Sequence, residues 1–311
     1  MVSACTNDEL VVLIIGYNRP ELVEKRLQDA LDSDVENLFV SIDFSDSDTS
    51  AKIRKIVDSF TEKWPKQKKI ESRFHVVNQG LTAHITETIT ELLQLYSEII
   101  VIEDDIRFNM SSLESLQFGL KIMRENPQIA SVGSYSGVPL PKSLQFGNKF
   151  RKSQYFACWG WATNRNIWKK YESQISKDEV RNKLARSASW KSLSRSKQET
   201  WLGRFIKISQ NPLHTWDIQF QYMCFKLDLI NLLPIYPIVE NVGFNDARSV
   251  HTTNNKPKWM IADNLSGRPI SDILRNRVIL KIISELESIT LFGDNQKTIR
   301  RLHSVFEKIS R

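Results

Sequence analysis

Three carboxylates in a row, Glu103-Asp104-Asp105, follow the uncharged run Ile99-Ile100-Val101-Ile102. Four β-branched residues without a charge read as a strand buried on both faces, as in a parallel sheet covered by helices. Such a strand delivers its last residues to the carboxyl edge of the sheet, where ligands of open α/β sheets bind. Three acids at that edge repel one another unless a cation or a proton neutralises them. A hard divalent ion with oxygen ligands, itself bridging phosphates, meets that need. The competing structural role is an acidic strand-to-helix turn, with Asp105 or Asn109 near the cap of the next helix.

The elements around this run alternate strand and helix. Leu10 to Ile15 is a second uncharged β-run, broken by Gly16-Tyr17-Asn18-Arg19-Pro20, and Pro20 to Leu31 has helical spacing at Leu22, Val23, Leu27, Ala30 and Leu31. Leu38 to Ile42 is a strand ending at Asp43, followed by a helix carrying Ile53, Ile56, Val57 and Phe60. A strand is predicted around Phe74 to Val77, and a helix over Leu81 to Leu95 that leads into the acidic run. This rhythm is that of an α/β fold with a Rossmann-like, mainly parallel sheet flanked by helices. Ser111 to Arg124 continues as helix and Ile129 to Gly133 as strand. From Ser134 the rhythm breaks, and Phe156-Ala-Cys-Trp-Gly-Trp161 reads as irregular structure lining a cleft. Helices follow at 164–171, 200–208 and from Thr215-Trp216-Asp217 to Asp228, and two amphipathic helices close the chain near 273–286 and 298–309.

A chain of 311 residues, 41% hydrophobic, can bury a full core. Its three cysteines show no CxxC or Cys/His spacing, so neither a disulfide framework nor a zinc site is expected, and a reducing, cytoplasmic setting fits best. No basic leader precedes the first apolar run, and no run approaches the ~20 apolar residues of a membrane span. The net charge of +7 is uneven: 177–207 holds nine Lys and Arg against three acids, and 256–311 eleven against six. Either segment is read as a solvated face or as a surface for anions such as nucleotide diphosphates, phospholipids or polyanionic saccharides. There is no Walker lysine loop and no GxGxxG, so a metal would carry much of any phosphate binding.

The series Tyr-Asn-Arg-Pro, Ser-Ile-Asp, Asn-Gln-Gly-Leu, Ile-Val-Ile-Glu-Asp-Asp, Phe-Ala-Cys-Trp-Gly-Trp-Ala-Thr, Thr-Trp-Asp and Asn-Val-Gly-Phe-Asn-Asp resembles the GT-A fold of glycosyltransferases over roughly residues 10–255. More closely it resembles the N-acetylglucosaminyltransferase I group and its bacterial sugar-transferase relatives. The resemblance implies a divalent ion, Mn2+ or Mg2+, on Asp105, with Glu103 and Asp104 serving the nucleotide and the metal's waters. It places Arg19, Asp43 and His84 where the family contacts the nucleotide, and His251 near the diphosphate. Asp217 falls at the family's general base, where a carboxylate takes the proton of an acceptor hydroxyl; capping the following helix is its alternative role. Trp159 and Trp161 either stack on a sugar ring or fill the core.

The expected organisation is one GT-A domain over 1–255, with a nucleotide-sugar half to about residue 135 and an acceptor half over 136–255. A basic helical extension, 256–311, follows. The expected partners are a nucleotide-sugar donor, UDP-sugar foremost, and a saccharide acceptor, free or lipid-linked. The resemblance also implies contact of the tail with an anionic membrane, at the inner face of the cell membrane. Two rivals are kept: a haloacid dehalogenase-type phosphatase, prompted by Asp46-Ser-Asp48-Thr49 with Asp104-Asp105, and a basic nucleic-acid-binding protein. Asp43-Phe-Ser departs from the phosphatase motif, and no nucleic-acid-binding signature occurs, so no nucleic acid is expected as partner.

Overall fold

The computed structural model describes residues 7–138, 147–244, 246, 248 and 267–292. Among these, the first half runs β1 (Asn7–Gly16), α1 (Pro20–Asp32), β2 (Asn37–Ile42), α2 (Ser47–Lys63), β3 (Lys69–Phe74), α3 (Leu81–Leu95), β4 (Tyr96–Glu103), β5 (Ile106–Arg107), α4 (Met110–Glu125) and β6 (Ile129–Gly133). The second half runs β7 (Phe150–Ser153), β8 (Trp161–Asn164), α5 (Arg165–Trp168), α6 (Val180–Leu184), α7 (Ala188–Lys191), α8 (Arg195–Gln210), α9 (Asp217–Lys226), β9 (Ile230–Pro234), β10 (Glu240–Asn241) and α10 (Arg277–Phe292).

Eight strands form one mixed sheet in the order β3-β2-β1-β4-β8-β6-β9-β7. The chain is therefore of the α/β class expected from its alternating runs. β3, β2, β1 and β4 are parallel, joined through α1, α2 and α3. Strand order reverses between β1 and β4, the topological switch point at which open α/β sheets hold ligands. Val11 to Ile15 and Ile99 to Ile102 are buried on both faces, which is why both runs lack polar residues.

Local chemistry accounts for the helix starts. Pro20 opens α1, Asp46 caps α2 by accepting from Thr49 N at 2.8 Å, and Asn109 and Ser112 form a reciprocal capping box on α4. Two expectations shift. The third strand lies at Lys69–Phe74 rather than around Phe74 to Val77, because it is an edge strand of mixed polarity, and Val76 and Val77 are left exposed. Trp161–Asn164 is a strand, β8, where irregular structure and a helix start are expected; it inserts antiparallel between β4 and β6.

The basic segment folds as α6, α7 and the first turns of α8. Val180, Leu184, Trp190, Trp201, Leu202 and Phe205 turn inward with Tyr222 and Phe225 of α9, forming a second core beneath an exposed basic face. α10 packs on the far edge of the sheet, where Ile283 and Leu286 meet Val138, Ile235 and Leu274. There Glu287 takes both Arg151 nitrogens, at 2.8 and 3.0 Å, in a buried bidentate pair. The final helix expected at 298–309 lies outside the described residues. Among the described residues no helix is long and apolar enough to cross a membrane.

Candidate active site

β1 and β4 run in register, with Ile15 beside Glu103, so the turn after β1 and the acidic turn after β4 meet at the switch point. Arg19 stands at the first position before α1 and reaches across. Its Nη2 donates to Asp104 Oδ1, and its Nη1 to Asp105 Oδ2 at 3.3 Å. Arg26, two turns further and 2% exposed, donates to the Asp104 carbonyl at 3.2 Å and holds Asp29 with Nε at 2.8 Å. It fixes the acidic turn from beneath. Its trace in the sequence is a charge on the otherwise apolar stripe of Leu22, Val23, Leu27 and Ala30.

The other side of the turn is built from a distant segment. β10 pairs antiparallel with β5, and Val242 N donates to the Asp105 carbonyl at 2.8 Å. Gly243 then passes so close that a Cβ there would stand 2.5 Å from Asp105 Oδ2, so any larger residue would have to push the Asp105 side chain aside. Phe244 continues to an edge-to-face contact with Trp159, at 5.9 Å between ring centroids. Asn241 to Phe244 thus belongs to the site, whereas His251 lies outside the described residues.

Burial governs the charges. The Glu103 carboxyl is pushed up to about 8, first by desolvation and then by Asp105 and Asp104. Asp104 rises to about 6 for the same primary reason, with Arg19 opposing. Asp105 is raised by burial and pulled back by Arg19. The acids expected at an exposed edge are therefore largely sheltered, and an internal guanidinium partly neutralises them.

Asp217 is the first residue of α9, and Thr215 Oγ1 donates to its Oδ1. It does not cap the helix; no side chain does. It lies within electrostatic reach of Glu103, Tyr171 and Arg204. Burial pushes the Cys158 thiol well above its usual range, and the charges of Asp217, Glu103 and Asp105 all raise it further. Cys158 arrives there because β8, directly after it, pairs with β4, a tertiary fact without local signal. Cys158 and Cys224 are free thiols.

Asp43 ends β2 and is saturated by backbone donors: Phe44 N and Gln79 N at 2.9 Å on Oδ1, and Gly80 N at 3.0 Å on Oδ2. It thereby fastens the start of α3 to the sheet edge. His84 lies one turn into α3, buried, with Nε2 2.8 Å from Ser41 Oγ; desolvation lowers it to about 4, so it is neutral. Beside them Tyr17 is exposed, and its hydroxyl accepts from Asn78 Nδ2 at 3.1 Å. Trp161 is wholly buried and stacks on Trp216 at 5.2 Å, a core role; Trp159 is half-buried against Tyr135. Asp46 is spent on its helix cap and Asp43 on three amides, so neither is a free nucleophile of the phosphatase type.

Among the described residues no three His, Cys, Asp or Glu side chains converge as a metal cage. The donor set still suits a phosphate-bridging cation. Asp104 Oδ2 is buried without a hydrogen-bond partner, and Asp105 lies at the lip beside it. Mg2+-type ions are commonly held by one or two carboxylates plus substrate phosphates rather than by an all-protein cage.

No family model matches the sequence, and no curated protein is significantly similar to it. Solved structures with partial likeness include the galactosyltransferase LgtC in complex with donor and acceptor sugar analogs, at 11% identity and a TM-score of 0.34 over 70% of each chain. Another is glucosyl-3-phosphoglycerate synthase from Mycobacterium tuberculosis with Mg2+ and UDP, at 17% and 0.32, over 55% of this chain and 60% of that one. A third is 4-diphosphocytidyl-2C-methyl-D-erythritol synthase from Anaerococcus prevotii, at 9% and 0.29, over 65% and 84%. At such TM-scores these likenesses decide nothing about the chemistry of this chain.

Proposed function

We propose that the chain is a metal-dependent, inverting glycosyltransferase that moves a hexosyl or N-acetylhexosaminyl group from a nucleotide diphosphate, a UDP-sugar foremost, to a hydroxyl of a saccharide acceptor. One observation carries the reading. At the switch point of the sheet, an acidic turn with a buried, unpartnered Asp104 oxygen suits a phosphate-bound cation, and a second carboxylate, Asp217, lies within electrostatic reach of its Glu103.

Asp105, with Asp104 behind it, would hold a divalent ion, Mn2+ or Mg2+, which supplies charge stabilisation to the departing diphosphate. Tyr17, Arg19 and the amides tied by Asp43 form the edge at which the nucleotide would lie. Asp217 accepts the proton of the acceptor hydroxyl as its oxygen bonds to the anomeric carbon. The bond from that carbon to the diphosphate breaks, and the leaving group carries away the electron pair. A single displacement of this kind inverts the anomeric centre.

The reading extends to a cytoplasmic protein whose acceptor is a glycan under assembly, free or lipid-linked, with the basic tail touching anionic membrane. Its test is UDP binding by calorimetry with Mn2+ and with EDTA, followed by assay of UDP-sugars for transfer or slow hydrolysis. Mn2+-dependent UDP binding that disappears in Asp105→Ala is expected. UDP binding indifferent to Mn2+ and to Asp105 would overturn the reading.

A further inference from the structure

Arg19 is the one cation whose side chain touches both Asp104 and Asp105 among the described residues. Its position is set by α1, whose first turn it begins: Leu22 N and Val23 N both donate to the Arg19 carbonyl, at 3.0 and 3.1 Å. The backbone is thus fixed, and the guanidinium at the end of the long side chain is held by the two carboxylates. The guanidinium lies against Asp105 Oδ2, the same oxygen that a Cβ at Gly243 would overlap. The Asp105 carbonyl accepts from Val242 N at 2.8 Å, which fixes the backbone from which its carboxylate projects. A divalent ion on that carboxylate would meet the guanidinium at close range, where like charges repel strongly in a sheltered site.

We propose that Arg19 is an exchangeable counter-ion: it neutralises Asp104 and Asp105 while no metal is bound, leaves Asp105 when a divalent cation arrives, and is received by the diphosphate that comes with that cation. This rests on the metal and nucleotide reading of the site given above. Each step conserves charge pairing. The guanidinium exchanges a carboxylate for a phosphate, both of which match its planar fork. The consequence is cooperativity: cation alone must displace Arg19 without offering it a new partner, and diphosphate alone meets uncompensated acids, so each binds weakly without the other.

The test is calorimetric titration of Mn2+ alone, UDP alone and Mn2+ at saturating UDP, on the full chain and on Arg19→Gln. Arg19→Gln is expected to bind Mn2+ alone at least tenfold more tightly than the parent, while the gain in Mn2+ affinity brought by UDP shrinks at least tenfold. Mn2+ binding that is unchanged or weaker in folded Arg19→Gln, with the parent still binding Mn2+ and UDP together, overturns the counter-ion role and leaves the metal site standing. No Mn2+ binding by either protein, with or without UDP, refutes the metal reading itself and this proposal with it. Should Arg19→Gln fail to fold by circular dichroism, Arg19→Lys decides: a single ammonium cannot grip two carboxylates as a fork does, so Mn2+ alone should bind severalfold more tightly, and an unchanged affinity overturns the proposal.

Discussion

Glu103 is held in a state that costs stability, and Glu103→Gln should recover it. The carboxyl, ordinarily at 4.5, is pushed up to about 8 by burial and by Asp105 and Asp104. An acid whose folded value lies above its unfolded value binds more protons when folded, so stability is fully present below about pH 4.5 and falls as pH rises towards 8. At pH 7 the unfolded group is ionised and the folded group still largely protonated, and the penalty is on the order of 3 kcal/mol at 1.36 kcal/mol per unit. Gln keeps the shape and removes the titration. Buried His84, lowered to about 4, acts oppositely between about 4 and 6.5, so the comparison belongs at pH 6.5 to 8.5. Urea unfolding in EDTA should show the parent losing roughly 1–3 kcal/mol across that span while Glu103→Gln stays nearly level. Mn2+ should restore the parent at the alkaline end by binding the folded state. Parallel pH profiles for the two proteins would refute the assignment of Glu103 as the sheltered, protonated acid.

Asp217→Asn should keep UDP affinity in the presence of Mn2+ and lose roughly 10²–10⁴ in turnover; a loss of donor affinity equal to the loss of turnover would mark a binding role instead. Glu287→Gln leaves the buried Arg151 without its counter-charge and should destabilise the protein by about 3–5 kcal/mol, whereas replacing both partners by Met and Leu should cost far less. A double replacement as damaging as the single would show that the pair itself holds α10. Ending the chain at Asp294 removes the basic stretch of 297–311 and should abolish salt-sensitive binding to anionic vesicles while sparing transfer to a soluble acceptor. Vesicle binding that survives the truncation would place the contact elsewhere.

The sequence by itself determined β1, β2 and β4 of the parallel half of the sheet and the place where chemistry could occur. β1, β2 and β4 are buried on both faces, so their composition needs no tertiary knowledge, and Pro20 and Asn109 mark helix starts through local chemistry alone. Glu103-Asp104-Asp105 was legible because no dry strand ends in three acids without a reason. Only the tertiary structure decided what neutralises them. Arg19 lies 85 and 86 residues from its partners, and Gly243 comes to Asp105 through the short β5–β10 pairing. It also decided that the short run Trp161–Asn164 is an antiparallel strand, which brings Cys158 within electrostatic reach of Asp217 and the acids, and that Arg151 and Glu287, 136 residues apart, pair at the far edge. Periodicity reports which face of an element is dry, whereas pairing between distant elements is settled by packing and by the need to match each buried charge with another.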